Sequence, residues 1–178
     1  MNVPMNRFLR LPLILAVLTL GGCATPRPDT GGNADALTFV VVRHAEKAID
    51  DPEDPALTEA GRQRAQRLAR LLADAPVVAV YATEFRRTRE TGQPTADIHH
   101  LPVSAYFSRG PAAESAAHWR RDHDHGTVLI VGHSNTVPDL VAALSGQAAT
   151  PMPETEYDRV TRIRFDAEGS ARVDITRY

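Results

Sequence analysis

The sequence predicts an α/β fold: a three-layer α/β/α sandwich on a mostly parallel sheet, closed by a C-terminal antiparallel hairpin. Three observations predict it. Near-continuous apolar runs at residues 37–42, 77–81 and 127–131 read as buried strands. Segments with helical spacing stand between them, the alternation that gives a parallel sheet covered on both faces. Finally, residues 159–166 and 170–177 alternate apolar and polar around Asp166-Ala167-Glu168-Gly169, the pattern of a hairpin. The composition of the 178-residue chain, 43% hydrophobic and 24% charged, suits a globular protein. Its net charge of −2 gives no chain-wide basic field, so nucleic acid is not expected as a partner.

The first strand is Leu37-Thr38-Phe39-Val40-Val41-Val42, and a loop rich in Asp and Pro follows at 48–55. Thr58 can cap a helix running to about Asp74, with Ala65, Leu68, Ala69 and Leu72 on one face and arginines on the other. After the strand Val77 to Tyr81, a short helix is predicted from Glu84 to about Glu90, closed by Gly92 and Pro94. The stretch 95–110 reads as irregular with a short strand near Leu101–Ala105, and Pro111 opens a helix to about Arg121. Strand Thr127 to Val131 leads through Gly132-His133-Ser134-Asn135 to a helix from Val137 to Leu144 that ends at Gly146.

Residues 1–22 read as a signal peptide. Arg7 and Arg10 precede an apolar run, Leu11 to Leu20, too short for the ~20 residues that span a bilayer. The run ends in Leu20-Gly21-Gly22-Cys23, which resembles a bacterial lipobox; the alternative is an uncleaved anchor or a buried cysteine. With Cys23 lipidated, residues 23–36 form a flexible Pro/Gly-rich tether and residues 37–178 the folded domain. The expected place is the cell envelope, held to the membrane by the lipid and facing the periplasm. Cys23 is the only cysteine, so the domain has no thiol for a disulfide, metal ligation or nucleophilic attack.

In open α/β sheets, ligands bind beyond the carboxyl ends of the strands. Three polar elements converge there. Arg43-His44 follow the first strand: a neutral imidazole can attack phosphorus, and a guanidinium can hold two phosphate oxygens. A rim salt bridge is the other reading of this pair. Arg86, Arg87 and Arg89 crowd a helix start, where they can add to the positive helix end or form a solvated face. His133 follows Gly132 at the third rim; protonated, it can donate to a phosphoryl group, or it is a structural histidine. His118, His123 and His125 with Asp122 and Asp124 do not form a defined ligand set, so no metal and no other cofactor is expected.

Taken together, the Arg-His after the first strand, Leu57-Thr58-Glu59-Ala60-Gly61, a downstream arginine and a Gly-His after a later strand resemble the histidine phosphatase superfamily, the phosphoglycerate mutase-like family. The resemblance covers about residues 37–178. It implies that His44 is the nucleophile, that Arg43 and Arg87 clamp phosphate, and that His133 is the second catalytic histidine. Thr83-Glu84-Phe85 depart from the family's Ser-Pro-Leu, while Ser134 after His133 is similar to the phosphoglycerate mutase and SixA-type branch, not to the acid phosphatase and phytase branch with its His-Asp pair; the short chain resembles the small SixA-like members. The resemblance points to Glu114 as general acid, with Glu46 or an Asp of the 50–54 loop as substitutes. The implied activity is hydrolysis of a small phosphorylated substrate, a phosphomonoester, through a phosphohistidine. The alternatives are a phosphohistidine-protein phosphatase and a non-catalytic phosphate-binding envelope module.

Overall fold

The computed structural model describes Met1 and residues 36–178 apart from Ala167. The signal peptide, Cys23 and the tether up to residue 35 lie outside the described residues. Among the described residues there are six strands, β1 (Thr38–Arg43), β2 (Val77–Thr83), β3 (Val103–Tyr106), β4 (Thr127–Gly132), β5 (Arg159–Phe165) and β6 (Ala171–Arg177). Four helices accompany them: α1 (Glu59–Leu71), α2 (Arg86–Ile98), α3 (Ala112–Asp122) and α4 (Val137–Ser145). The strand order is β3-β2-β4-β1-β5-β6. β3, β2, β4 and β1 pair in parallel, whereas β5 and β6 add antiparallel.

Side chains alternate across a strand, so the apolar runs of β1 and β4 serve two cores at once. Phe39, Val41, Val128 and Ile130 pack with Trp119 of α3 and with Leu140 and Leu144 of α4. Val40, Val42, Leu129 and Val131 face the opposite way and pack with Leu68 of α1 and Ala96 of α2. The result is the three-layer α/β/α sandwich, with α1 and α2 on one face and α3 and α4 on the other.

Helix α1 starts where its cap places it. The Oγ1 of Thr58 accepts from the Gly61 amide at 3.0 Å, satisfying one of the unpaired donors of the first turn. Gly61 lies so close to the loop after His44 that a Cβ there would meet the Glu46 carbonyl oxygen at 2.4 Å. Helix α4 ends as predicted, with Gly146 as its left-handed C-cap at φ 71°.

The second helix differs from expectation. It runs through Gly92 and Pro94 to Ile98 instead of closing near Glu90. Packing overrides both breakers. A Cβ on Gly92 would meet Val80 Cγ1 at 3.0 Å, so the glycine is where α2 comes closest to the sheet, not where it ends. Pro94 removes one helical hydrogen bond, but burial of Thr91, Thr95 and Ala96 holds the helix to the sheet across it. The third strand occupies Val103–Tyr106, one residue later than predicted at its C-terminal end.

Candidate active site

The carboxyl ends of β1, β2 and β4 open onto a cavity of about 280 Å³ lined by Arg43, His44, Arg87 and His133, with Phe85, Ser134 and Glu154 among their neighbours. The four basic residues singled out in the sequence therefore meet at one point.

The two histidines come from adjacent strands. Arg43 pairs with Gly132 in the β1–β4 ladder, and the His44 amide donates to the Gly132 carbonyl at 2.9 Å. Their rings meet edge-on, 5.3 Å between centroids. Nδ1 of His44 lies 2.7 Å from the Ala45 carbonyl oxygen. A carbonyl only accepts, so Nδ1 carries the ring hydrogen and Nε2 keeps its lone pair. Burial, opposed by that hydrogen bond and reinforced by His133, Arg43 and Arg87, lowers the His44 pKa to about 3. At neutral pH His44 is an uncharged imidazole with an unprotonated Nε2, the form that can attack phosphorus.

His133 is neutral as well. Burial first, and the charge of Arg87 second, lower its pKa to about 4. His133 is therefore uncharged near pH 7, and the donation to a phosphoryl group open to it from the sequence requires that it first gain a proton. Its Nε2 is 3.0 Å from Thr83 Oγ1, which in turn is 2.8 Å from Thr88 Oγ1. This chain of hydroxyls ties the ring to the end of β2.

Arg43 is 2% exposed, and most of its guanidinium is engaged by the segment before β5. Nη1 donates to the carbonyls of Pro153 (3.2 Å), Glu154 (2.6 Å) and Glu156 (3.3 Å). Nη2 donates to Glu154 Oε2 at 2.7 Å, and Tyr157 covers the guanidinium plane with its ring centroid 4.2 Å away. The other oxygen of Glu154 accepts from Ser134 Oγ. That hydrogen bond and the charge of Arg43 lower the Glu154 pKa against the opposing effect of burial, making it a carboxylate here.

Arg87, at the second position of α2, stacks on Phe85 with 4.3 Å from Cζ to the ring centroid. Its Nε is buried without a hydrogen-bond partner among the described residues. Burial lowers its pKa, although Asp54 and Glu84 oppose this. A half-buried cation with an unspent donor at a helix N-terminus is equipped to receive an anion.

The candidate acids lie elsewhere. Glu114 is exposed in the first turn of α3 and is not among the residues lining the cavity. Glu46 is held by Arg64 through bonds of 2.6 to 3.0 Å. Asp51 caps the amides of Glu53 and Asp54, and Asp54 accepts from the Arg86 amide at 2.6 Å. The histidines near the end of α3 turn to separate partners: His118 to Asp122, His123 to Tyr81 and His125 to Asp124. No group of three or more His, Cys, Asp or Glu side chains is placed to hold a metal ion among the described residues.

Sequence reasoning did not single out Glu154, Tyr157 or the hydroxyls of Thr83 and Thr88. The available signal was the segment Pro151-Met152-Pro153-Glu154-Thr155-Glu156, prolines and acids placed between α4 and the hairpin.

The fold is similar to several solved structures. The protein histidine phosphatase SixA, solved with tungstate, aligns with TM-score 0.64 and 23% identity over 79% of this chain and 96% of that one. Bacillus stearothermophilus YhfR gives 0.63 and 22% over 79% and 96%. A mycobacterial glucosyl-3-phosphoglycerate phosphatase gives 0.59 and 16% over 80% and 98%. No curated protein matches the sequence. Residues 39–106, which run from β1 to β3 and carry Arg43, His44 and Arg87, match the family model of the histidine phosphatase superfamily, branch 1. Both histidines and both arginines gather at the rim of that sheet, so the matched segment and the strand β4 beyond it together build a site able to hold and attack a phosphoryl group.

Proposed function

We propose that the protein hydrolyses phosphomonoesters in two steps through a phosphohistidine at His44. The observation that carries this reading is the state of His44: neutral, with Nδ1–H spent on the Ala45 carbonyl and Nε2 left to attack. Arg87 and Arg43 hold the phosphoryl oxygens, which positions phosphorus and neutralises charge as it spreads over those oxygens. His133 gains a proton more readily once a phosphoryl dianion sits beside it, and then donates to the same group. Water removes the phosphoryl group from His44 in the second step.

We also read the enzyme as exported and lipid-anchored through Cys23, which places its substrates in the envelope. The support is the basic start, the short apolar run and the Leu20-Gly21-Gly22-Cys23 sequence. A second reading, dephosphorylation of phosphohistidine in proteins, is favoured by the likeness of the fold to the protein histidine phosphatase SixA.

Mass spectrometry on enzyme quenched in alkali after brief exposure to a reactive phosphoester tests the first reading. A phosphoryl adduct on His44, absent in His44→Ala together with turnover, is expected; substantial turnover in His44→Ala would remove the mechanism. Comparing a phosphomonoester panel with a phosphohistidine peptide separates the two substrate classes. Failure of labelled fatty acid to enter the wild-type chain, with no difference from Cys23→Ala, would end the lipoprotein reading.

A further inference from the structure

The reaction just proposed uses the proton of His133 on the phosphoryl group and assigns none to the leaving oxygen. The bridging oxygen of an alkyl phosphate leaves readily only when a proton reaches it as the P–O bond breaks. His44 is the attacking group, and its one ring hydrogen is held by Ala45. Arginine does not release protons at ordinary pH. Glu46 is locked to Arg64, and Glu84 accepts from the amide and hydroxyl of Ser108 at 2.9 and 2.7 Å. Among the described residues lining the cavity, the one carboxyl group is that of Glu154.

We propose that Glu154 is the general acid, and in the second step the general base, of this phosphatase, entering that role when substrate oxygens displace it from Arg43 and Ser134. The proposal rests on the phosphomonoesterase reading above. Two features carry it. Arg43 Nη1 is occupied by three backbone carbonyls, which leaves Nε and Nη2 for a phosphoryl oxygen, and an anion received at Nη2 stands against Glu154 Oε2 and repels it. The Glu154 side chain is also free to move, at 79% exposure, while its loop is fixed. Buried Met152, the carbonyl bonds to Arg43 and the Glu156–Arg159 ion pair at 2.6 Å hold the backbone in place. A carboxylate that has lost its cation and hydroxyl partners, and stands beside a phosphoryl dianion, takes up a proton from solvent.

The chemistry then balances. In the first step the electron pair of His44 Nε2 forms the N–P bond, the P–O bond to the leaving group breaks, and the Glu154 proton moves to the departing oxygen. The products are an alcohol, phosphohistidine and a carboxylate. In the second step water attacks phosphorus and gives a proton to that carboxylate. The N–P bond breaks, its electrons return to Nε2, and inorganic phosphate leaves.

The test compares Glu154→Gln with wild type on two substrates, glycerol phosphate and 2,4-dinitrophenyl phosphate. The second has a leaving group that needs no proton. Gln keeps its amide oxygen to accept from Arg43 and can donate its amide N–H to Ser134 Oγ, but holds no acid. The expected result is a loss of ~10²–10⁴ in kcat/KM on glycerol phosphate, with a far smaller loss in kcat/KM on dinitrophenyl phosphate, since that ratio reports the first step and not the shared second one. Equal losses on both substrates would overturn the proposal. So would an unchanged kcat on glycerol phosphate accompanied by tighter inhibition by inorganic phosphate, since the carboxylate would then only compete for the clamp. If Glu154→Gln does not fold, Glu154→Asp, with its shortened reach, must show the same leaving-group-dependent loss, and an even loss refutes it. Failure of the underlying reading is seen separately, as wild-type enzyme that gives no phosphohistidine after alkaline quench.

Discussion

Lowering the pH from 7 to 5 should destabilise the folded domain through its two buried histidines. A free histidine takes its proton near about 6.5, whereas burial holds His44 to about 3 and His133 to about 4. Between those values the unfolded chain binds protons that the folded site does not. Stability therefore rises with pH in this window, is present in full above the unfolded pKa, and is lost as pH falls below it. From pH 7 to pH 5 the loss is about 2 kcal/mol for each histidine. Urea unfolding followed by the fluorescence of Trp119, the only tryptophan and 1% exposed, measures it. Other groups titrate in the same range, so the informative quantity is the difference between wild type and His44→Asn, which removes the ionisable ring at similar size. The variant should lose about 2 kcal/mol less than wild type over this interval. An identical pH slope in the two proteins would mean that His44 is not held neutral by the fold. The same depression implies that kcat/KM has no acid limb from His44 near pH 6.5.

Three further outcomes follow from particular contacts. Gly61→Ala drives a methyl into the Glu46 carbonyl, and should lower stability by about 1–3 kcal/mol in urea titrations, with activity falling as α1 is pushed from the loop after His44. Arg87→Ala should lower kcat/KM by ~10²–10³, while Arg89→Ala, whose guanidinium is 46% exposed and bonds the Glu84 carbonyl, should leave it nearly unchanged in the same assay. Glu114→Gln should leave kcat/KM unaltered on unactivated phosphoesters, because Glu114 stands outside the cavity.

What the sequence disclosed was set by range. β1, β4 and the cap at Thr58 depend on neighbouring residues, and their apolar runs and capping hydroxyl can be read directly. The four basic residues were legible because each follows a strand, and strand ends share one rim in a parallel sheet. Gly92 and Pro94 are local breakers that predict a shorter α2, and only the approach to Val80 of β2 explains why the helix continues. Glu154 escaped notice for the same kind of reason. It meets Arg43 across 111 positions, through a segment with no periodicity of its own. Glu114 has the place along the chain that the resemblance implies for an acid, and place along the chain does not determine which way a first-turn side chain projects.

The rung that joins Arg43 to Gly132 acts as a gauge. Because His44 and His133 each stand one residue past it, the gap between the two imidazoles is inherited from the repeat of the sheet, neighbouring strands being about 4.8 Å apart. Loops can then lengthen, shorten or change charge around the mouth, altering which ester enters, without resetting the spacing on which attack depends. Slippage of β1 by one residue against β4 would turn Phe39 and Val41 toward the wrong core, so an error in that spacing would surface as a failure to fold before it surfaced as a slow enzyme.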